Sequence, residues 1–460
     1  MKTIILLFLL GMSRASFSPA AVHYDRLTSF GTSTNDGRHP QGVLVEGSGG
    51  VLYSTTVDGG TNGSGTVFRV SKDGSGYEVL YHFGTNATDG KSPASGLIKG
   101  SNGVLYGTTL YGGANASGTV YKLNQDGGGY QIMHNFGASN EDGVTPFSHL
   151  IEGSDGLLYG TTYEGGSNAV GTVFKLDKDG FGYTLLHTFN RILGDSQNPL
   201  GALMEGSDHT LYGTTARGGT EDAGSVFKLN KDGSGYKVLR SFSATGADSA
   251  GPTADLIEGS DGALYGTTGA GGTNGWGTVF KLNKDGTNYN VLILFGGTNG
   301  AYPNGLIRGT DGKPYGTTGA GGAGGEGTIF NFREDGSALT VLRDFAATGV
   351  EGQSPQAGLI LGSDGAFYGT TFHGGDLGFG TVFRFFPPET PDMTSLTVVS
   401  NTVQVSFVGT SGFHYQVLRS PDLSHWTVLT TVTMPAAQSY TYVEPSPFPV
   451  TAFYRAAWVP

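Results

Sequence analysis

The chain has no cysteine, so neither a disulfide nor a thiolate site is available to it. Charged residues make up only 14%, and the balance is acidic, with a formal net charge of -12. An acidic surface repels phosphate backbones, which excludes nucleic acid as an expected partner. Beyond residue 21 no stretch is long and apolar enough to cross a bilayer. Convincing helices are also lacking. There is no H-E-x-x-H helix and no G-x-S-x-G elbow in a strand–turn–helix setting, so two common hydrolase chemistries find no motif.

Glycine is abundant, at 81 of 460 residues. It follows no G-X-Y period, which excludes collagen, and apolar runs recur between the glycines, which argues against disorder. The composition fits many short strands joined by tight turns. Residues 1–21 read as a signal peptide: Lys2, an apolar run at 4–10, then Ala15, Ser16, Ser18, Ala20 and Ala21. A secreted or cell-surface protein is therefore expected. Without disulfides it must be held by packing, as a closed repeat array can be.

The repeat is explicit. The tyrosine of L-Y-G-T-T recurs at Tyr53, Tyr106, Tyr159, Tyr212, Tyr265, Tyr315 and Tyr368, at intervals of 53 residues except one of 50. The aromatic of G-T-V-F recurs at Phe68, Tyr121, Phe174, Phe227, Phe280, Phe330 and Phe383. A proline recurs at Pro40, Pro93, Pro146, Pro199, Pro252, Pro303 and Pro355. Each unit holds four candidate strands, in the fifth unit a at 255–258, b at 263–268, c at 278–282 and d at 289–295. Four strands per unit of about 50 residues is the blade of a β-propeller. Gly266, inside strand b, is expected to let another backbone come close. Val279 and Phe280 are adjacent and both apolar, which suits a sheet covered on both faces.

The ends bear on closure. The strand-d phenylalanine recurs as Phe30, Phe83, Phe136, Phe189, Phe242, Phe295 and Phe345. The first precedes any strand a, and the last unit has no strand d of its own. One surplus strand matches one missing strand, so a seven-bladed β-propeller closed by its N-terminal strand is expected over 22–386. A Pro-rich linker follows at 387–394. Residues 395–460 are strand-like but outside the repeat, with runs at 397–408, 415–419, 426–432, 440–443 and 452–458. They read as a small β-sandwich.

The unit resembles the Gloeo/Verruco (GloVer) tandem repeat of secreted bacterial proteins, through G-S-D-G-A-L-Y-G-T-T at 259–268, Gly271-Gly272 and G-T-V-F-K-L at 277–282. More loosely, S-D-G-x-L-Y-G-T resembles the repeat of two-component-regulator propellers. The resemblance implies a surface or secreted location, often with a C-terminal anchor, and no established activity. An anchor helix is not seen at the end of this chain. The tail resembles fibronectin-III-like modules through Y-Q-V-L-R-S-P-D-L-S-H-W at 415–426 and F-Y-R at 453–455.

Function must lie where the units differ. Short a–b and c–d hairpins use Asp-Gly turns. The turn Asp177-Lys178-Asp179-Gly180 lacks the terminal glutamate of a calcium loop and reads as such a hairpin. The longer b–c and d–a loops share the other face and vary, which makes that face the candidate binding surface. Its candidate ligand residues are Asp58, Tyr111, Tyr163, Glu164, Arg217, Trp276, Phe372 and His373. Units 5 and 6 carry only glycine and alanine beside the Gly-Gly pair, so a ligand is least expected there, except for Trp276 on the rim. In strand a, His149 and Asp255 interrupt a series otherwise made of Val43, Gly96, Ala202, Gly305 and Gly358. They are candidate catalytic residues near a tunnel mouth, two units apart and expected to meet across the axis. A second ring, Glu46, Lys99, Glu152, Glu205, Glu258, Arg308 and Leu361, reads as a mixed-charge collar. Lys99 and Arg308 argue against calcium there, and no cofactor or metal is expected.

Near-identical repeats favour binding over catalysis, which needs singular residues. The expected function is a non-enzymatic scaffold for a polar ligand, a glycan or an envelope protein, acting as a monomer. A glycan-active hydrolase or lyase using His149 and Asp255, and a purely structural extracellular protein, are the alternatives.

Overall fold

In the computed structural model the described residues are 23–459, apart from 193, 244, 246–247, 348–349, 388–391, 400–401, 409–413, 423–424, 436–438 and 445–451. The leader read at 1–21 lies outside them. Two compact bodies form, one of Asp25–Ser363 with Phe367–Arg384 and one that contains Phe385–Pro460. Among the described residues the one helical element is a 3-10 turn at Ser48–Gly50, and no helix is long and apolar enough to cross a membrane.

Among the described residues the first body contains seven four-stranded sheets and five two-stranded ladders. In the fifth, strands a to d are Ile257–Glu258, Leu264–Thr268, Thr278–Leu282 and Asn290–Leu294, paired antiparallel in that order. Strand a is thus only two residues long, shorter than the run 255–258. Six sheets draw all four strands from one stretch of chain. The seventh takes a, b and c from Ile360–Leu361, Phe367–Thr371 and Thr381–Phe386, and its outer strand from the other end, His23–Ser29.

Side-chain alternation explains why the sheets stack. Leu264 and Phe280 pack with Tyr212, Val226 and Phe242 of unit 4. Their neighbours Tyr265 and Val279 point the other way, onto Leu306, Phe330 and Phe332 of unit 6. Fully burying each such side chain contributes about 1.5–3 kcal/mol. The Thr-Thr of strand b has a separate cause. The second threonine pairs its hydroxyl with that of the Thr or Ser ten residues on, in strand c, as in Thr268 with Thr278, at 2.8–2.9 Å in all seven units. Two buried hydroxyls thereby satisfy one another.

Gly266 lies opposite Phe280. A Cβ there would sit 2.5 Å from Phe280 Cζ and 2.7 Å from Leu256 Cδ2. The glycine makes room for a ring and a leucine, not for the approaching backbone that strand crowding led us to expect.

The junctions between units repeat as closely as the units do. The residue before each recurring proline donates its N–H to a carbonyl of the preceding unit, two residues before the strand-c Thr or Ser of that hydroxyl pair. Ser92 bonds Ser64, Thr145 bonds Ser117, and the pattern runs on to Ser354 with Glu326 and His39 with Phe379, all at 2.8–2.9 Å. Each donor residue is left-handed, with φ between 51° and 58°.

In the second body, Asp392–Val399, Thr402–Val408 and Ser439–Glu444 form one three-stranded sheet, and Thr427–Thr433, His414–Ser420 and Phe453–Val459 another. The run read as one strand at 397–408 is a hairpin whose first arm begins at Asp392. Val405, Phe407, Tyr415 and Val417 are buried between neighbours from both sheets.

Candidate functional site

The collar of charges turns out to be a set of clips. Glu152 accepts from the Ser101 N–H and hydroxyl of the preceding unit, both at 2.7 Å, and pairs with Lys178 of its own c–d hairpin. Glu205 does the same with Ser154 and Lys231, Glu258 with Ser207 and Lys284, and Glu46 with Ser363 and Lys72. In unit 6 the charges are exchanged. Arg308 stands at the glutamate position, and Glu334, at the lysine position, takes over Ser260 while pairing with Arg308 at 3.3 Å. The carboxylates are consumed in holding units together. The Asp177 carboxylate is likewise occupied by the Asp179 and Phe181 N–H groups of its own turn, and no group of three His, Asp or Glu placed to hold a metal occurs among the described residues.

These clips make a pH prediction. Burial raises the Glu205 carboxyl, but hydrogen bonds from Lys231, Ser154 and His209 outweigh it and bring it down to about 2, from an ordinary 4.5. Glu152 and Glu258 are lowered in the same way. As pH falls, the unfolded chain takes up these protons first, so the clips' contribution is complete above 4.5 and drains away down to about 2. Urea unfolding should be flat above that window and weaken steadily through it. Glu205→Gln should cost about 1–3 kcal/mol at neutral pH and flatten the acid slope; a neutral-pH midpoint that does not move would remove the clip from the account.

On the other side of strand a, a cavity of about 220 Å³ is lined by residues of all seven units, among them Val43, Gly96, His149, Ala202, Asp255 and Gly358. His149 Nε2 stands 3.5 Å from Asp255 Oδ2, and the other carboxylate oxygen accepts the Ala202 N–H at 2.5 Å. The pair does not meet across an axis. Asp255 reaches over the small Ala202 of the intervening unit. The arrangement fixes one carboxylate oxygen and leaves an imidazole facing the other, which suits proton transfer or polar recognition.

The loop face has more order than loops usually have. In units 1 to 5 the first residue of the Gly-Gly pair belongs to a two-residue ladder with the preceding d–a loop, such as Gly37–Arg38 with Asp58–Gly59, Gly90–Lys91 with Tyr111–Gly112 and Gly143–Val144 with Glu164–Gly165; in units 6 and 7, Gly321 and Gly374 make single bridges to Glu326 and Phe379 instead. Asp58, Tyr111, Glu164, Arg217 and Ala270 hold the same ladder position in successive units. Tyr111 is 54% exposed, Glu164 is exposed, and Arg217 lies 3.9 Å from Asp222. The Tyr163 carbonyl takes a hydrogen bond from Asn198, its ring half-buried. Among the described residues no hydrogen bond, ion pair or ring contact joins these four to one another.

Three other candidates do converge. His39, unremarked in the sequence, stacks on Phe372 with centroids 4.8 Å apart and meets His373 and Phe379 edge-on at 5.5 Å. Its Nδ1 is 3.0 Å from Asp58 Oδ1, and the Arg38 guanidinium lies 4.4 Å from the Phe379 centroid. The ring cluster thus joins unit 7 to unit 1 and carries Asp58, Phe372 and His373 together. Trp276 lies at the position of Phe379 in unit 5, edge-on to Tyr302 at 5.6 Å.

One repeated pair escaped the sequence reading. An aspartate in each of five d–a loops, buried in the first three and partly buried in the other two, accepts the hydroxyl of a tyrosine 41 residues on: Asp36 and Tyr77, Asp89 and Tyr130, Asp142 and Tyr183, Asp195 and Tyr236, Asp248 and Tyr289. The constant spacing was the available signal. So was unit 6, where Leu339 replaces the tyrosine and no aspartate occurs in 296–304.

A sequence profile of the Gloeobacter/Verrucomicrobia repeat matches residues 15–219, 85–258 and 198–416 in overlapping passes. No curated protein matches the chain by sequence. Among solved structures it is similar to a candidate 6-phosphogluconolactonase of Bacteroides uniformis, at 14% identity and TM-score 0.47, over 85% of this chain and 99% of that one. It is similar to an ulvan lyase, a polysaccharide lyase, at 9% identity and TM-score 0.45, over 83% and 92%. The Trypanosoma rangeli sialidase matches at 10% identity and TM-score 0.40, over 92% and 89%. At that distance the likeness says nothing of chemistry.

Proposed function

We propose, from the premise that this chain belongs to the Gloeobacter/Verrucomicrobia repeat family, that its repeats close into a seven-bladed β-propeller serving as a non-enzymatic binding scaffold. We further assign it to the secreted or cell-surface proteins, with a fibronectin-III-like C-terminal module. Closure is supported by the His23–Ser29 strand completing the seventh sheet, by the His39–Phe379 junction bond and by the Ser363–Glu46 clip. The ligand is polar, a glycan or an envelope protein, and it docks on the b–c and d–a loops. One observation carries this reading. Repeated polar groups are spent on joining units, whereas His39, Phe372, His373 and Phe379 are non-repeating and gather on that face. A rigid aromatic cluster with a polar edge is the usual anchor of a binding surface.

The test is a screen of the chain lacking 1–21 against glycans and envelope proteins. A retained ligand whose affinity falls about ten-fold or more in Phe372→Ala with His373→Ala supports the reading; no ligand at all would leave a purely structural protein. A second reading, a glycan-active enzyme, is favoured by the 3.5 Å approach of His149 to Asp255 inside the central cavity. Turnover of any polysaccharide, lost in His149→Ala or Asp255→Ala, would replace the scaffold reading with that one.

A further inference from the structure

The seven junctions on the loop face share one backbone plan, so their side chains can be compared position by position. Each brings the b–c loop of one unit against the d–a loop that enters the next. At the junction of units 5 and 6 these loops are 269–277 and 296–304, and neither contains Asp, Glu, Lys, Arg or His. At each of the other six junctions at least one of the two loops carries such a residue. Apart from Trp276 on the rim, a ligand was least expected at this uncharged junction. It also holds the chain's exposed Trp–Tyr corner.

Trp276 is 39% exposed and Tyr302 46%. Their rings meet at 67° with centroids 5.6 Å apart, and the Tyr302 N–H donates to the Trp276 carbonyl at 2.9 Å. That bond belongs to the scaffold, so the corner is held by the fold. Neither the indole N–H nor the tyrosine hydroxyl has a hydrogen-bond partner among the described residues. Asn274 stands beside them in the same condition. In three other units the equivalent asparagine is used up: Asn62, Asn115 and Asn168 donate to the carbonyls of Phe83, Phe136 and Phe189 at 3.0–3.2 Å. No such bond forms at Asn274. Glycines flank the corner, and a Cβ on Gly297 would still lie 4.0 Å from Trp276 Nε1.

We infer that the Trp276–Tyr302 corner is a binding subsite for a neutral hexose oligosaccharide. The inference rests on the loop face being a binding face, and it names a ligand class and a place. A hexose ring has an apolar C–H face and a rim of hydroxyls. Two aromatic walls at a wide angle cover the face, and an N–H, an O–H and a carboxamide stand free to meet the rim. Ligand sites combine those elements: apolar walls and a few placed polar groups. Trp and Tyr supply such contact area at little entropic cost. An uncharged setting gives a uronate or sulfated sugar nothing to pair with, and its desolvation would go uncompensated.

The experiment compares immobilised neutral hexaoses (cello-, manno- and maltohexaose) with hexagalacturonate, using the chain lacking 1–21. The expected result is retention on at least one neutral hexaose with a change in tryptophan fluorescence. Trp276→Ala and Tyr302→Ala should each weaken it about ten-fold or more, Trp276→Phe should restore most of it, and Phe181→Ala, which removes an exposed ring on a c–d hairpin, should leave it unchanged. A shared melting temperature identifies variants that fold normally. If the chain binds a glycan that Trp276→Ala still binds, or prefers the uronate, the subsite is wrong while the scaffold stands. If it binds nothing on this panel, the subsite is wrong, and only the wider screen bears on the scaffold.

Discussion

Phe30→Ala is expected to destabilise the repeat body by about 3–5 kcal/mol, as much as Phe136→Ala in the middle of the chain. Phe136 closes an ordinary junction: its N–H bonds the Gly118 carbonyl at 3.1 Å and its ring packs edge-on to Phe174 of the next unit at 5.2 Å. Phe30 stands at the far N-terminus yet has the same surroundings. Its N–H bonds Gly380 at 3.1 Å, and its ring meets Phe68 and Tyr77 of unit 1 at 5.0 and 5.7 Å. Both rings are fully buried. Removing either leaves a ring-sized void between packed sheets, and the cost follows the void. The comparison therefore weighs closure directly. Were the junction of units 7 and 1 open in solution, Phe30 would be solvated and its loss would cost about 1 kcal/mol or less, within the range of surface changes. Urea unfolding of both variants beside the parent chain decides between them.

The matching surroundings of Phe30 were readable in the sequence because a sheet that takes its outer strand from the other end leaves a count: seven phenylalanines, one of them early. Strands b and c were readable for a related reason, since Leu264, Tyr265, Val279 and Phe280 are all buried and the apolar pattern marks them directly. The two-residue ladders were not. Two residues hold no period, and Gly59 and Gly60 look the same whether paired or loose. His149 and Asp255 stood out as exceptions in a bland series. Their meeting depends on how small Ala202 is and on where its N–H points, which no spacing reveals. Tyr302 does line up with His39, each just before a recurring proline, but its ring contact with Trp276 depends on how loops of two units pack, which no spacing reveals. The collar was legible as a ring of mixed charge but not as a set of clips, because each glutamate meets a serine of the preceding unit and a lysine of its own c–d hairpin only in space.

Asp142→Ala is expected to cost about 3–5 kcal/mol, because it strips a buried acceptor from several donors at once. One carboxylate oxygen accepts from the Tyr183 hydroxyl at 2.6 Å and the Gly143 N–H at 2.8 Å; the other accepts from Ala138 N–H at 3.2 Å and faces His134 Nε2 at 3.4 Å. The side chain is 6% exposed, so water cannot replace it. Burial raises its pKa, but His134, Tyr183 and the Ala138 N–H more than offset that and hold it below the ordinary value. Asp142 ties the entry loop of unit 3 to the start of that unit's outer strand, so one side chain fixes both edges of the sheet. Tyr183→Phe should cost less, about 1–2 kcal/mol, since it removes a single bond and keeps the ring stacked on His134. The double variant separates a clip from two independent packing defects. A clip predicts a double loss smaller than the sum of the singles by about 1 kcal/mol or more. Additive losses would mean that Asp142 merely caps its own loop. Unit 6 already suggests the answer, since there the aspartate and the tyrosine are absent together and Leu339 packs against the core in the tyrosine's place.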